Sequence, residues 1–560
     1  MKEGKWYFYS ILSLYFASLM IRLIMPLSFN VWGPDTGENY YIVNYFAANG
    51  RIPFPYTGFG QTYTEFPGVY ELLGALSAAS GVSSSAISEL SMPFISSLLV
   101  FPVAALARTL TGSRGGAVMA SLFYSASVVT AGHTSILSSD TFGELLLIFF
   151  LYFYLTSPGS IFRFVSSMLI AFAMLPSYHL GTVFIILFLM LALFYYSFLR
   201  RSASRELEKS LFSFVLISAA GLAYWLTMAP QFVTLFIVRI MPLPAAIVAP
   251  FATAFIIWFA GRYSPVQGKQ LHFHVNSARM RLEIAAVVTG TLIAATIVAV
   301  IGFPSIPVYP NPLTVLFTPS LALPVLGGFL FLQFSSLKTE SAILGLLLIS
   351  VLVIIVFGMA TGISYLVPLR VIEYLYLILS FIVGFAAITS IEVLLKPERR
   401  VWGAVAVAVI LILSTSSITA ASTQLSSPSK IGATPFQDLD ASNWAAWNTQ
   451  KNSTFASDHR LSSIIFGYGN REATWEFGGY PVFHSADIQQ LLERLNSSRT
   501  PYGPARVGYI ILDKEMLASA NFYPNQPDNP IPPYFEAMLK TQYFVEVYTN
   551  GFATIYEYTP

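Results

Sequence analysis

The 560-residue chain contains no cysteine, which excludes disulfides, thiolate nucleophiles, iron–sulfur clusters and Cys-ligated zinc. Charge is almost as scarce. Asp, Glu, Lys and Arg make up 10% of the residues, against roughly 25% in a soluble chain, so a string of soluble domains is excluded. The balance of 30 basic against 28 acidic residues, net +2, lacks the concentrated basic surface of a nucleic-acid binder. There is no P-loop-type glycine run, which speaks against an ATP-driven pump, and no internal repeat.

What the chain has is apolar length: 55% hydrophobic and 15% aromatic residues, with mean hydropathy +0.64. At about 20 apolar residues per bilayer crossing, this predicts a polytopic α-helical membrane protein with about 13 transmembrane helices. The runs lie near 7–27, 90–107, 115–132, 142–156, 161–175, 180–198, 211–229, 244–261, 283–302, 315–334, 341–360, 366–388 and 401–421. The first follows Lys2 and Lys5, carries Arg22 and has no small-residue cleavage site, as expected of a retained signal anchor. A cytoplasmic N-terminus puts seventeen Lys and Arg of this region inside. Only Arg22, Arg51, Arg239 and Arg370 fall in the outer half or outside. That asymmetry is a strong positive-inside signal and makes everything after Ser422 extracytoplasmic. The expected setting is the plasma membrane.

The tail, 422–560, is a different kind of sequence, with 13 of the 28 acids and 9 of the 30 bases. After the linker "PSKIGATPFQ" come a helix ("DLDASNWAAWNTQ"), a strand ("STFASD"), a helix ("ADIQQLLERL"), a strand ("RVGYIILD") and a helix ("YFEAMLKTQ"). It closes on two alternating strands around Asn550-Gly551, a hairpin signal. A C-terminal extracytoplasmic α/β domain is expected, distinct from a membrane module over 1–421 whose first outer loop is 28–89. The tail also holds two glycosylation sequons, Asn452-Ser-Thr and Asn496-Ser-Ser.

The remaining charges gather at one expected face. The first outer loop has Asp35, Glu38, Glu65, Glu71 and Glu89; Asp140 and Glu144 begin the fourth span; Arg239, Arg370, Glu373, His133 and His179 lie at outer loops or span ends. Each has a structural reading too. Asp35 and Glu38 fit a capping box for "TGENYYIVNYFAA". Asp140 caps the fourth span or reaches a site, and Glu144 pairs with a neighbouring helix. Arg370 and Glu373 form an i,i+3 pair, the histidines are interhelical donors, and Glu65 sits in a solvated loop. Convergence of several segments on one face favours a site for an anionic lipid head group.

The pattern resembles the GT-C superfamily, polytopic glycosyltransferases using lipid-phosphate-linked sugars, over roughly 1–421. The resemblance rests on Asp35 and Glu38 just after the first span, the long first loop with amphipathic helices, Asp140 before the fourth span, and the outer α/β tail. It is similar to archaeal members in "PSYHLG", "LRVIEYLYL" and "NGFATIYEY". The expectation departs from the oligosaccharyltransferases of that superfamily in finding no WWDYG-type motif in the tail, which favours a monosaccharide (hexosyl or pentosyl) transferase.

The resemblance implies a polyprenyl-phosphate-linked sugar donor, an extracytoplasmic acceptor (glycan, lipid or protein) and inversion. It implies Asp35 as the base, with Glu38 and Asp140 as further catalytic acids. Arg239 and Arg370 become donor-phosphate ligands, because the arginine fork matches phosphate. Glu65, His133, Glu144, His179 and Glu373 would support them. Trp32, Tyr40, Tyr41, Tyr56 and Tyr63 line the groove or belong to the interfacial belt. Metal dependence stays open; Asp35, Glu38 and Asp140 offer oxygen ligands to Mg2+ or Mn2+.

Two other classes fit the composition. A transporter or flippase of lipid-linked glycans would place charges near the midplane between related halves, which this chain lacks. A non-catalytic scaffold of envelope assembly would use the tail for binding.

Overall fold

The computed structural model describes residues 2–263 and 433–560, apart from 30, 127–130, 132–133, 159, 200–203, 239–241, 502 and 523–525. Of the stretch between, it describes chiefly 376–388 and scattered residues around 345–351. The chain forms two compact units, Met1–Ile21 with Ile95–His133 and Ser139–Ala420, and Arg22–Phe94 with Thr134–Ser138 and Ala421–Pro560.

The first unit is helical. Its helices coincide with expected spans: Val100–Thr111, Arg114–Ala126, Ser139–Leu155, Ile161–Met174, His179–Phe194, Ser204–Met228 and Leu243–Tyr263. Among the described residues, four helices are apolar and long enough to cross a membrane: Lys5–Ser28, Ser84–Thr111, His179–Ser197 and Arg205–Met228. The expected spans at 283–302, 315–334 and most of 401–421 lie outside the described residues. Helix ends follow local chemistry. The Ser160 side chain accepts from the N–H of Arg163 at the start of Ile161–Met174, satisfying one orphan donor of the first turn. Arg108 stands in the last turn of Val100–Thr111, where a cation complements the helix dipole. The core is aromatic and aliphatic, with Phe123, Tyr124, Phe150, Phe184 and Phe188 fully buried.

The second unit is built around a mixed five-stranded sheet in the order Phe544–Thr549, Ala553–Tyr558, Tyr509–Asp513, Thr454–Ala456, Glu472–Ala473. The central pairings Thr454–Ala456 with Tyr509–Asp513 and with Glu472–Ala473 are parallel. The closing hairpin is antiparallel, as Asn550-Gly551 predicts. Its core joins Phe455, Ile510, Ile511 and Ile555 of the sheet to Leu461, Ile465, Phe483, Leu491 and Phe535 of the covering helices. The expected tail helices and strands are all present, at Phe436–Asn448, Thr454–Ala456, Ile488–Asn496, Tyr509–Asp513 and Pro533–Leu539. Three helices were not expected: His459–Gly467, Trp475–Phe483 and Lys514–Ser519.

The first outer loop packs with the tail. Val31 and Trp32 pair antiparallel with Thr434 and Ala433, so the start of the tail continues a ladder begun in the loop. The helix Thr36–Asn49 lies on the helix His459–Gly467. This seam is possible because of two glycines. A Cβ on Gly37 would strike the backbone of Ser463, and one on Gly467 would strike the carbonyl of Gly37. Only residues without side chains let the two backbones approach so closely.

Candidate functional site

Asp35 sits at the head of the helix Thr36–Asn49, after the turn Gly33-Pro34. Gly33 has φ +106°, open to glycine alone at little cost, and its Cα faces Ile136 with no room for a Cβ. The hydroxyl of Thr36 donates to the carbonyl of Trp32 at 2.5 Å, closing the turn. The expected capping box does not form. Asp35 occupies the cap position at φ −94°, ψ 4°, without a side-chain cap bond, because its carboxylate is drawn elsewhere.

Its Oδ1 lies 2.6 Å from Nε2 of His459, and its Oδ2 accepts from the Tyr63 hydroxyl at 3.0 Å. The other ring nitrogen of His459, Nδ1, contacts Oε1 of Glu476. An imidazole thus stands between two carboxylates. Burial opposes a charge on His459, but Glu476 first and then Asp35 outweigh it and hold its pKa well above the usual histidine value. The ring is thereby drawn toward its protonated form, with a carboxylate oxygen against each nitrogen. Phe59 meets it edge-on at 5.1 Å and Trp475 lies at 5.5 Å, so water is kept from its faces. The His459 side chain is 4% exposed and that of Asp35 29%. Asp35 is the end of the chain that solvent or substrate can reach.

Glu38, one turn into the helix, is fully buried. Its Oε1 accepts from the Tyr56 hydroxyl and from the N–H of Gly60 at 2.7 Å, and its own N–H donates to Ser463 Oγ at 3.1 Å. Burial and the neighbouring Asp35 push its carboxyl up to about 8, against the donors from Tyr56 and Gly60. Glu38, its carboxyl pushed up, thus stands one turn from an Asp35 whose carboxylate meets His459 and Tyr63.

The helix bearing His459 is fixed from behind. Asp458 caps it, accepting from Leu461 N at 2.9 Å. Arg460 is buried and turned away from the site, with Nη1 on Asp438 at 2.5 Å and Nη2 on Asp513. Asp513 in turn caps Lys514–Ser519 through Met516 N at 2.6 Å. One guanidinium thus ties the helix to its neighbour Phe436–Asn448 and to the central strand.

Of the other expected site residues, Glu65 closes the short turn Tyr63–Glu65 and is buried at 9% exposure, which corrects the solvated-loop reading. Trp32 is buried against Met25 and Ile136. Asp140 stands in the first turn of Ser139–Leu155 and Glu144 is fully buried one turn on, both in the first unit. His179 opens its helix, with its ring 4.8 Å from that of Phe232. His133, Arg239, Arg370 and Glu373 lie outside the described residues. Among the described residues no group of three His, Asp or Glu is placed to hold an ion. Asp35 gives its oxygens to His459 and Tyr63, and Glu38 gives Oε1 to Tyr56 and Gly60.

His459 and Glu476 were missed in the sequence. A signal for the first existed: Asp458 ahead of apolar Leu461, Ile464 and Ile465 reads as a capped helix, with His459 its first residue. The second lies in Trp475-Glu476-Phe477-Gly478. This run keeps the order tryptophan, acid, aromatic, glycine of the last four positions of WWDYG, with Glu for Asp and Phe for Tyr.

No protein-family model matches the chain, and no curated protein matches it in sequence. Solved structures do match. The oligosaccharyltransferase AglB from Archaeoglobus fulgidus, in complex with an inhibitory peptide and a dolichol-phosphate, superposes with TM-score 0.63 at 15% identity, over 92% of this chain and 70% of that one. The Archaeoglobus fulgidus oligosaccharyltransferase tethered to an acceptor peptide containing the NVT sequon gives 0.62 at 14% identity, with the same coverage. ArnT from Cupriavidus metallidurans bound to undecaprenyl phosphate aligns over 99% of this chain at 13% identity, but its TM-score of 0.38 is too low to weigh. The chain shares its fold with these archaeal oligosaccharyltransferase structures over most of its length, as the resemblance led one to expect.

Proposed function

We propose that the chain is a membrane glycosyltransferase. It moves a sugar from a polyprenyl-phosphate-linked donor to an extracytoplasmic acceptor with inversion, and Asp35 is its base. The observation that carries this reading is the Asp35 carboxylate. It leaves its helix cap unmade and is held by His459 and Tyr63 with 29% of its surface open. In the reaction an acceptor oxygen attacks the anomeric carbon while its proton passes to Asp35. The bond from that carbon to the phosphate oxygen breaks, and the electron pair leaves with the polyprenyl phosphate. That group departs as a stable anion and needs cations more than an acid. Arg239 and Arg370 are the sequence-based candidates to supply them, and Asp140 remains a candidate second acid. Glu38, protonated at neutral pH, is a poor base and a donor-competent neighbour. The chain acts in the plasma membrane with its N-terminus inside and its tail outside.

The test is sugar transfer by purified protein from a polyprenyl-phosphate sugar. Asp35→Asn should remove turnover while the thermal transition stays in place; near-normal turnover would sink the assignment.

A second reading of the acceptor rests on Trp475-Glu476-Phe477-Gly478 together with the fold shared with an enzyme solved with an acceptor peptide. In it the donor carries an oligosaccharide and the acceptor is a peptide asparagine. Offering an Asn-Val-Thr peptide beside hydroxyl acceptors separates the two: transfer to peptide selects this reading, transfer to hydroxyls only selects the first.

A further inference from the structure

We infer that Glu476, delivered by the strained backbone of Trp475, is a positioning residue that acts through His459 to orient Asp35 for the transfer step. The inference rests on the proposed reading of Asp35 as the base.

Three observations carry it. The first is the unbroken contact Asp35 Oδ1–His459 Nε2–His459 Nδ1–Glu476 Oε1, which spends both ring nitrogens on carboxylates. A core histidine with a merely structural role is usually satisfied by one carbonyl or water and stays neutral. The second is burial. Glu476 is 7% exposed, and neither of its oxygens makes a hydrogen bond among the described residues, Oε1 meeting Nδ1 of His459 as an ion-pair contact. An acid in such a place is costly unless a basic group holds it, and His459 is the basic group in contact with it.

The third is backbone strain. Trp475 has φ +52°, a left-handed conformation that a bulky residue adopts only under strain. Its ring is nonetheless fully buried, packed 5.7 Å from Phe59 and 5.9 Å from Phe466. This conformation opens the helix Trp475–Phe483 with Glu476 in its first turn, turned to His459.

The groups around His459 are few. The helix head at Thr36 presents Asp35 and, farther off, Glu38; the helix Trp475–Phe483 presents Glu476; the first loop presents the ring of Phe59. On its own helix Asp458 is occupied with Leu461 N, and Arg460 faces Asp438 and Asp513. Glu476 therefore makes the largest contribution to keeping His459 charged, with Asp35 adding to it. Without it, burial pulls the ring toward neutrality. The bond to Asp35 then ceases to be charge-assisted and loses strength and directionality. A small loss of alignment at a reacting group costs about 10²-fold in rate.

The experiment compares wild type, Glu476→Gln, Glu476→Asp and Asp35→Asn in sugar transfer across pH, together with histidine ring-nitrogen NMR and thermal unfolding. Glu476→Gln is expected to lower kcat by about 10²-fold with donor KM nearly unchanged. Its kcat, unlike that of wild type, should fall as pH rises through neutrality, and one imidazolium signal should be lost at neutral pH. Glu476→Asp, which keeps the charge on a shorter arm, should restore much of the rate and the wild-type profile. A Glu476→Gln profile that superimposes on wild type, or an Asp variant no better than Gln, overturns the inference; so does an unchanged imidazolium signal. If Asp35→Asn still turns over, the base assignment itself fails. If Asp35→Asn is dead and the Glu476 variants behave like wild type, only this inference fails.

Discussion

Oδ1 of Asp35 and Nε2 of His459 lie 2.6 Å apart although 424 positions separate them in the chain. The first belongs to the loop after the first apolar helix and the second to the tail. Their meeting makes these two pieces of sequence one site, and each prediction below probes a different support of it.

Tyr63 donates to the second oxygen of Asp35 at 3.0 Å. Tyr63→Phe removes that donor and keeps the ring near Tyr70, 6.4 Å away. The expected loss is about tenfold in kcat, with stability changed by about 1 kcal/mol or less. Transfer kinetics beside a melting curve check it; a rate equal to wild type would show that His459 alone orients the carboxylate.

Glu38 links the site to pH. Its folded-state pKa, about 8, lies above the ordinary 4.5, so between those values the folded protein holds the proton more firmly than the unfolded one. Stability is therefore full at the acid end of the window and is lost as pH rises toward 8. Glu38→Gln keeps an oxygen for Tyr56 and Gly60 and cannot ionise. Its melting temperature should stay level from about pH 5 to about pH 8 while that of wild type declines, which differential scanning fluorimetry measures directly.

The glycine seam predicts a loss of rate beyond the loss of stability. In Gly467→Ala the new methyl meets the carbonyl of Gly37, and forcing the helices apart costs about 1–3 kcal/mol. Because the same seam carries Asp35 to His459, kcat of the still-folded fraction should also fall. Gly508→Ala, whose Cβ would meet nothing within 4 Å, is the control and should leave the rate intact.

Arg460 is a structural cation shared by two acids. Burial and the proximity of Asp513 already raise Asp438, against Arg460. Arg460→Met leaves both carboxyls in the core without their cation and should cost about 3–5 kcal/mol. Adding Asp438→Asn should recover part of this. A chemical-denaturation series reads both values, and a double variant no more stable than the single one would refute the pairing.

Much was legible in the residues because it is local. Apolar runs announced the helices at Ile161–Met174, His179–Phe194 and Ser204–Met228, since a run of apolar residues in one segment is a local signal. Alternation and Asn550-Gly551 announced the last hairpin, since strand faces repeat every second residue. Asp35 was marked by its place after the first span. Its capping role was also legible and proved wrong, because a charged partner from a distant segment outcompetes a neighbouring backbone N–H.

The sequence by itself determined which segments are apolar enough to be helices in a membrane and which acid opens the first loop. Only the tertiary structure decided that this loop packs with the tail, that Asp35 leaves its helix uncapped, that burial raises Glu38, and that His459 stands between Asp35 and Glu476. Secondary structure follows from residue spacing along one chain segment. The charge state of a buried group depends on which other groups the fold sets within a few ångströms, and no spacing along the chain encodes that distance.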